Sequence, residues 1–504
     1  MVAPGKVVLV NSNRMRPAVA PLALDYLAPA LRREGLEVDI LDLCFAADPA
    51  QAIDDYFACS EVAAVGITLR NTDDTSFASS DFFVPQLKEV TGRIRAKTAA
   101  PIILGGAGFS IMPEAILGYC GLDLGVWGEG EYSLPLLVSR LARGEEFRDV
   151  PGVVFRWRNS FVEPPANSSC LIDSSGGAEC LREVKNSFLR NLAEYIDLSQ
   201  IDTPSRDAVD NRRYFIEGGQ GAIETKRGCP MRCIYCADPL GKGTQLRLRS
   251  PASVADEVEA LLRLGIDHLH LCDSEFNIPP GHARAVCEEL VVRGLGDRVR
   301  WYTYASPTPF SAEAAALWQR AGCVGVNFGV DSASDTILRK LGRHFSAADL
   351  KETAELCQRQ GLVFMYDLLL GGPGETRETV RETIEAMKRL SPHRVGASLG
   401  VRIFPATRLA GQLQLEGPLS KNPNLRGEVE GNHDFFAPVF YLSSALGPQP
   451  GEYLARLIGG DERFFLMSQG EAGQNYNYNE NTTLVQAIRA GHRGAFWDIL
   501  RRVS

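Results

Sequence analysis

The chain has 504 residues, of which 45% are hydrophobic and 23% charged, a composition typical of a folded globular protein and not of a disordered or fibrous one. This length exceeds what one hydrophobic core supports, so two or three domains are expected. A formal net charge of -9 disfavours nucleic acid as a partner, and we find neither a signal peptide nor an apolar run that could span a bilayer, so we expect a cytoplasmic protein with no nucleic-acid or membrane partner.

The first 145 residues alternate short apolar runs with helical stretches, one of them from about Leu22 to Arg33. This alternation predicts a doubly wound, Rossmann-like α/β domain with a parallel sheet covered on both faces. Ligands of such sheets bind beyond the carboxyl ends of the strands. The predicted strands are Val7–Val10, Val38–Leu41, Ala63–Ile67, Ile102–Leu104 and Leu124–Trp127.

Residues 146–220 are expected to be a linker with connecting elements, because part of this region is rich in Ser, Gly, Pro and Asn. From 221 to 410 the alternation resumes and predicts a partial TIM-type barrel, (β/α)6, with its chemistry at the carboxyl ends of the strands. Its six strands are expected near Gly221–Thr225, His268–Cys272, Arg300–Tyr304, Gly325–Gly329, Val363–Leu369 and Gly396–Ile403.

Residues 411–504 break this pattern and are expected to form a small mixed domain that caps the barrel and contributes to substrate binding. Its end is predicted to be one amphipathic helix from about Leu484 to Arg501. The sequence as a whole therefore predicts an α/β protein with a sheet domain, a barrel and a cap.

A CxxxCxxC run, Cys229, Cys233 and Cys236, directly follows the first predicted barrel strand, whereas the other nine cysteines are scattered. Three thiolates on so short a loop can converge on one metal centre. A structural zinc site uses four ligands, so three suit a centre that keeps one position open for a substrate. A zinc loop or chance spacing is the alternative.

This run, placed after a first barrel strand, resembles that of the radical S-adenosylmethionine (SAM) superfamily. The resemblance implies a [4Fe-4S] cluster on the three cysteines and SAM bound to its fourth iron. Later barrel segments match the family in order, although Asp331 replaces a longer Glu of the family pattern. Ordinary barrel turns are the alternative for each segment alone. The implied SAM contacts are Tyr235, Asp273, Glu275, Asp331, Ser332, Gly372 and Arg402.

A doubly wound domain in front of such a barrel resembles the cobalamin-dependent branch of the superfamily, as do the glycine-rich segment 101–110 and the turn Gly128-Glu129-Gly130-Glu131. A flavodoxin-like or purely structural sheet is the alternative. A dinucleotide site is disfavoured because no G-x-G-x-x-G follows the first strand. The implied cobalamin contacts are Asn11, Thr68, Leu69, Arg70, Gly105, Gly106, Gly108, Phe109, Gly128, Glu129, Gly130 and Glu131.

All seven histidines lie at or beyond position 268, so the N-terminal domain has no histidine to place under cobalt. The resemblance implies a methyltransferase that acts on a carbon of a small molecule. Such an enzyme uses SAM in two ways, once to methylate cobalamin and once to form a 5′-deoxyadenosyl radical. It also implies an external electron donor of the flavodoxin or ferredoxin type.

The alternative within the same branch is a cyclase or rearrangement enzyme without net methyl transfer. An RNA methylthiotransferase would need a second cysteine trio and a basic C-terminal module, and neither is visible. A cofactor-binding sensor without turnover remains a further alternative. The identity of the substrate and the oligomeric state stay open.

Overall fold

Two large β-sheets, one mixed and one parallel, are flanked by helices and organise the chain. The structure is a computed structural model and describes residues 5–156, 168–169, 188–193, 195–200, 204–432, 434–466 and 481–503. Within these ranges, no helix combines the length and the apolar character needed to cross a bilayer.

The first sheet has eight strands in the order β2-β1-β3-β4-β5-β6-β8-β7. Its strands are β1 (Lys6–Asn11), β2 (Glu37–Asp42), β3 (Ala64–Thr68), β4 (Ile102–Gly105), β5 (Leu124–Val126), β6 (Val153–Arg156), β7 (Ser168–Ser169) and β8 (Phe188–Asn191). The helices of this part are α1 (Leu22–Arg33), α2 (Pro49–Cys59), α3 (Val84–Arg95), α4 (Pro113–Cys120) and α5 (Gly130–Arg143).

Strand β1 shows why this sheet forms. Val7 and Leu9 lie in one hydrophobic core and Val8 and Val10 in another, because successive side chains of a strand point to opposite faces. Both faces are therefore buried, as expected for parallel strands covered by helices. The predicted doubly wound domain is confirmed, and the helix predicted from Leu22 to Arg33 has those limits.

Strands β6, β7 and β8 lie in the region expected to be a linker. They join the edge of the first sheet as antiparallel strands, with β6 beside β5. Residues 153–156 and 188–191 are thus built into the first domain instead of merely leading away from it.

The second sheet has seven strands, all parallel, in the order β20-β16-β15-β14-β13-β12-β9. The strands from here on are β9 (Gly221–Ile223), β10 (Lys226–Arg227), β11 (Arg247–Leu248), β12 (His268–Leu271), β13 (Arg300–Ala305), β14 (Cys323–Asp331), β15 (Phe364–Leu370), β16 (Arg394–Leu399), β17 (Val401–Arg402), β18 (Leu425–Gly427), β19 (Val439–Tyr441) and β20 (Phe464–Leu466). The helices are α6 (Asn211–Gly218), α7 (Asp238–Lys242), α8 (Pro251–Arg263), α9 (Pro280–Val292), α10 (Ala312–Arg320), α11 (Asp335–Leu341), α12 (Ala347–Gln360), α13 (Arg377–Leu390), α14 (Arg408–Leu415), α15 (Pro450–Ile458), α16 (Thr482–Arg489) and α17 (Phe496–Val503).

The partial barrel is confirmed with all six predicted strands, and β20 adds a seventh beside β16. This strand has only three residues, so periodicity did not reveal it. Part of the expected C-terminal cap therefore belongs to the barrel sheet. Another part forms a small antiparallel sheet, β17-β19-β18, whose core includes Ile234 of the cysteine loop.

The prediction of one helix from about Leu484 to Arg501 is wrong, because the chain forms two helices, α16 and α17. Between them, Gly491 and Gly494 have φ values of +100° and +119°, which break a right-handed helix. Helix α17 packs Trp497 against Tyr302, with ring centroids 6.1 Å apart. The two helices thus cover the end of the barrel at which the strands begin.

Candidate active site

The cysteine loop follows β9 at the carboxyl ends of the barrel strands. Its shape depends on Gly228, which has a φ of +91° and whose added Cβ would lie 2.0 Å from the carbonyl oxygen of Gln245. The Cys229 amide donates to the Gly243 carbonyl at 3.1 Å, and the Ile234 amide donates to the Leu341 carbonyl at 3.0 Å. The backbone therefore fixes this loop at both ends.

The three thiols lie in a poorly hydrated environment. Burial raises the pKa of Cys229 to about 11 and also raises the pKa values of Cys233 and Cys236. Buried thiols ionise when a metal supplies positive charge, so this donor set fits iron. No group of three His, Cys, Asp or Glu side chains in the described ranges is arranged to hold a single ion. A cubane differs from a single ion because each of its thiolates binds a different iron.

Arg343 is a member of the site that the sequence did not reveal. Its Nη1 donates to Cys233 Sγ at 3.1 Å, its Nη2 donates to the Gly329 carbonyl, and its Nε lies 3.4 Å from Asp331 Oδ2. The side chain is buried. It follows α11 through Gly342, whose added Cβ would lie 2.5 Å from the Arg232 carbonyl oxygen. Only the folded chain shows this close approach of Gly342 to Arg232, so Arg343 could not be identified from the sequence.

Three of the expected SAM contacts surround Arg343. The Tyr235 hydroxyl donates to Asp331 Oδ2 at 2.6 Å, so the structure brings these two residues together. Glu275 lies 3.8 Å from Arg343 and lines the same small cavity as Cys229. Burial raises the pKa of Glu275 to about 7, although the charge of Arg343 opposes this shift.

Two other expected SAM contacts are engaged within the barrel. Asp273 is buried and accepts hydrogen bonds from the Thr225 hydroxyl at 2.5 Å and from Lys226 Nζ at 2.8 Å. Ser332 is also buried, and its hydroxyl lies 3.0 Å from that of Thr383. Both residues support the shape of the barrel mouth.

The remaining two lie on or just after the later strands. Gly372 is in the turn after β15, where its amide and that of Gly371 donate to Glu375 Oε2 at 3.2 and 2.6 Å. Arg402, on β17, donates from Nε to Asp73 Oδ2 of the first domain at 3.0 Å. Arg402 therefore ties the barrel to the loop that follows β3.

The loops expected to contact cobalamin meet at the carboxyl edge of the first sheet. The Leu69 amide donates to Gly105 and its carbonyl accepts from Gly108. An added Cβ would lie 2.5 Å from the Leu69 carbonyl oxygen at Gly106 and 2.7 Å from Asn71 at Gly108, so these glycines permit close packing of two loops. Thr68 closes β3 and accepts at its carbonyl from Ser12, and Phe109 is buried below the loops.

The acidic turn after β5 faces the barrel. Glu129 accepts from Arg247 at 2.5 Å, and Glu131 accepts from Arg227 at 2.6 Å. Gly128 donates its amide to the Ser110 hydroxyl, Gly130 begins α5, and Asn11 donates to Asp42 and Tyr214 in a buried network. These contacts place the glycine loops beside α7, which follows the cysteine loop.

Arg70 of the first domain lies close enough to β12 of the barrel to affect its titratable groups. Its charge contributes to lowering the pKa of His270 and opposes the rise in the pKa of Cys272, both on or next to β12 of the barrel. A group bound at the edge of the first sheet would therefore lie next to the barrel mouth. This neighbourhood fits two cofactors that share one substrate, with a corrin on the loop side and a cluster on the cysteine side.

Comparison with known proteins agrees with both halves of this arrangement. A family model of the radical SAM superfamily matches residues 223–387, and one of the B12-binding domain matches residues 10–138. The tryptophan 2-C-methyltransferase of Streptomyces laurentii is 32% identical, over 99% of this chain and 96% of that protein.

Solved structures extend this similarity to the fold. TsrM, a radical SAM methyltransferase from Kitasatospora setae solved with its tryptophan substrate and a SAM analogue, is 31% identical and superposes with a TM-score of 0.86 over 99% of this chain and 98% of that one. The same enzyme with cobalamin and a [4Fe-4S] cluster bound is 32% identical, with a TM-score of 0.85 over 99% and 97% of the two chains.

Proposed function

Since this chain belongs to the cobalamin-dependent radical SAM methyltransferases, we propose that it methylates carbon 2 of the indole ring of tryptophan or of a closely related indole amino acid. The family assignment makes it a C-methyltransferase with a [4Fe-4S] cluster, cobalamin and SAM as cofactors. The observation that carries the choice of substrate is the full-length similarity to an enzyme with this activity.

The three cysteines of the loop hold the cluster in this proposal, and the glycine loops after β3, β4 and β5 hold the corrin. When bound, cobalamin carries the methyl group that SAM supplies. Glu275 and Gly372 are the candidates for direct SAM contact, because Glu275 shares a cavity with Cys229 and Gly372 lies in a turn at the carboxyl ends of the strands. Reduction of the cluster would require an external donor, for which a flavodoxin or ferredoxin is proposed.

The remaining expected SAM contacts act through their neighbours. Tyr235 and Asp331 are hydrogen-bonded to each other, and Asp331 lies beside Arg343. Asp273, Ser332 and Arg402 have partners within the protein, so we propose that they position the mouth of the barrel. The same role is proposed for Glu129 and Glu131, which pair with arginines after β9.

An indole acceptor changes what the protein must do chemically. Carbon 2 of an indole already carries π electrons, so adding a methyl group there requires loss of one proton and no abstraction of a hydrogen atom. The expectation of a 5′-deoxyadenosyl radical was argued for an unactivated carbon and stays a prediction. The barrel would then have to orient the ring, exclude water and accept the proton.

The test is anaerobic incubation of the holoenzyme with tryptophan, a reductant and SAM that carries a deuterated methyl group, followed by mass spectrometry. We expect 2-methyltryptophan with the label and one S-adenosylhomocysteine for each methyl group transferred. The C233A variant should lose this activity, whereas C59A, which alters an exposed cysteine of α2, should keep it.

Two outcomes would contradict or refine the proposal. Absence of methylated tryptophan from fully loaded enzyme would exclude this substrate. The amount of 5′-deoxyadenosine decides the route, since its formation in step with product supports a radical step, and full methylation without it supports direct transfer to the indole.

A further inference from the structure

Four exposed cations lie around the cysteine loop. They are Arg232 of the loop itself, Arg339 and Lys340 near the end of α11, and Arg408 at the start of α14, and we call them the basic rim. In the described part of the chain, no carboxylate lies within ion-pair distance of any of the four. The protein carries a formal net charge of -9, so the rim is a local excess of positive charge on an acidic molecule.

Hydrogen bonds to the backbone hold the three segments of the rim together. The Ile234 amide donates to the Leu341 carbonyl at 3.0 Å, and the Leu409 amide donates to the Ile234 carbonyl at 2.8 Å. Arg408 Nη1 also donates to the Arg232 carbonyl at 3.2 Å. The end of α11 and the start of α14 therefore lie against the cysteine loop, and the four cations share one region of the surface.

Other exposed cations on helices of this protein pair with an acid one turn away. Examples are Arg213–Glu217, Arg284–Glu288, Lys351–Glu355, Arg389–Glu385 and Arg456–Glu452. Helix α11 has an acid at the same spacing, Asp335, four residues before Arg339. However, Asp335 Oδ1 accepts from the Ala347 amide at 2.8 Å, and Arg339 Nε donates to the backbone carbonyl of Asp335 at 3.2 Å. The pairing that would stabilise this helix is therefore not made.

The exposed face of α14 adds an apolar side chain to this region. Leu415 is 90% exposed and lies seven residues after Arg408, so both point to the same side of the helix. The opposite side is buried through Leu409, Ala410 and Leu413. Arginines beside an apolar side chain are typical of a protein interface, and a cluster of like charges favours a partner of opposite charge. The rim therefore suits an acidic protein.

The rim is also close to the candidate cluster ligands. Arg232 directly precedes Cys233, and Lys340 lies three residues before Arg343, whose Nη1 donates to Cys233 Sγ at 3.1 Å. Electron transfer between proteins slows steeply with distance, so a redox partner must dock near the centre that it reduces. A protein bound to the rim meets this requirement.

We propose that the basic rim is the docking site of the electron donor, a small protein with an acidic surface around its own redox centre. This inference rests on the proposed function, in which an external donor reduces the cluster. The donor is oxidised by one electron and the cluster is reduced by one. Opposite charges steer such a partner to the rim and orient its redox centre toward the cysteine loop.

The test is calorimetric titration of the cluster-loaded holoenzyme with a flavodoxin, an acidic electron carrier, in the absence of SAM and tryptophan. Raising the ionic strength from about 0.1 to about 1 M should weaken binding by about 10-fold or more, because the screening length falls from about 10 to about 3 Å. R232E and K340E should each weaken binding about fivefold, and the double variant about 20-fold.

The matched control is R298E, which makes the same charge change at an exposed arginine at the opposite end of the barrel and should keep the wild-type affinity. Cytochrome c, an electron carrier with a basic surface, should not bind. Iron content and reduction by titanium(III) citrate, a small reductant that needs no docking site, establish that each variant holds its cluster. If R232E does not load, R339E replaces it and should show the same loss of affinity.

Equal affinity of R298E and of the loaded double variant for flavodoxin would overturn this inference. So would loaded wild-type enzyme that does not bind flavodoxin at low ionic strength, or that binds cytochrome c as tightly. Failure of the proposed function is distinguishable from this. In that case no methylated tryptophan forms, although flavodoxin binding and its dependence on Arg232 and Lys340 persist.

Discussion

At the scale of single residues, Arg343 supplies the positive charge nearest to the cluster cysteines in the described chain. It donates to Cys233 and lies within ion-pair distance of Asp331 and Glu275. Hydrogen bonds to cluster sulfurs and nearby positive charge both favour the reduced, more negative state of an iron–sulfur centre. Arg343 is therefore a positioning residue that can also tune the potential of the cluster.

The variant R343M should lower the reduction potential of the cluster by on the order of 50 mV, close to a tenfold change in a one-electron equilibrium. Methionine keeps much of the length of the side chain but removes the charge and the donors. Redox titration followed by electron paramagnetic resonance measures the shift. R339M on the exposed side of α11 is the control, and an equal potential in R343M and R339M would exclude this role.

Glu375 is a buried acid that has no cation beside it among the residues that the structure describes. It accepts from the amides of Gly371 and Gly372, and burial raises its pKa to about 7. Because the pKa is higher in the folded than in the unfolded state, the contribution of this group to stability is fully present below about pH 4.5 and is lost as the pH rises through about 7.

The wild-type protein should therefore lose stability between pH 5 and 8 partly through Glu375, and E375Q should flatten this dependence. The drop in thermal midpoint from pH 5 to pH 8 is expected to be smaller in the variant than in the wild type by on the order of 2 °C. Calorimetry at a series of pH values provides the measurement. E378Q, an exposed neighbour, should follow the wild type, and parallel profiles of E375Q and wild type would refute the assignment.

At the scale of elements, the turn between α16 and α17 contains two glycines, one needed for its backbone conformation and one needed also for close packing. Gly491 and Gly494 both have positive φ, but an added Cβ at Gly491 meets open space, whereas one at Gly494 would lie 2.5 Å from the Tyr302 hydroxyl. That hydroxyl is held by Asp498. The first glycine thus serves conformation alone, and the second also serves packing.

The variant G491A should cost about 1 kcal/mol of unfolding free energy, for backbone strain. G494A should cost at least about 1 kcal/mol more, because overpacking adds to the strain. Chemical denaturation monitored by tryptophan fluorescence, to which Trp497 contributes, compares the two. Equal losses would mean that Tyr302 moves aside freely and that the turn does not cover the barrel end tightly.

The sequence predicted elements better than it predicted contacts. The strands β1 to β5 and the six main barrel strands followed from apolar periodicity, because burial of both sheet faces constrains the sequence locally. The three-residue strand β20 and the break at Gly491 did not, because a short strand and a turn depend on distant partners. The cysteine trio was visible because its ligands are close together in the chain.

The sequence was less informative about which groups individual charged residues contact. Arg402, Glu129 and Glu131 are predicted cofactor contacts, and each also has a charged partner across the two domains: Asp73, Arg247 and Arg227. A charged residue at a strand end looks the same in sequence whether it faces a cofactor or another domain.

At the scale of the whole molecule, a buried ionic network joins the two domains beside β9. Arg206 lies 3.1 Å from Asp25 of α1 and 2.7 Å from Glu257 of α8. Glu257 also pairs with Arg249 at 2.5 Å and accepts from the Tyr26 hydroxyl. The ionic side chains are almost fully buried, so the network has little access to water that could replace a missing partner.

Removing the charge of Glu257 should therefore loosen the domains. E257Q leaves two buried arginines facing one carboxylate, and breaking such a pair costs about 3 kcal/mol or more. Hydrogen–deuterium exchange of the wild type and E257Q measures the effect, which is expected as faster exchange in α1 and α8 while the cores of both sheets remain protected.

The control for this experiment is E259Q on the same helix, where Glu259 is partly exposed and lies 3.5 Å from Arg293. Its exchange should match the wild type, since a solvated ion pair contributes about 1 kcal/mol or less. Because the cofactor loops lie between the domains, E257Q should also bind cobalamin more weakly than E259Q. Equal exchange and equal cobalamin affinity in the two variants would show that the charge of Glu257 does not hold the domains together.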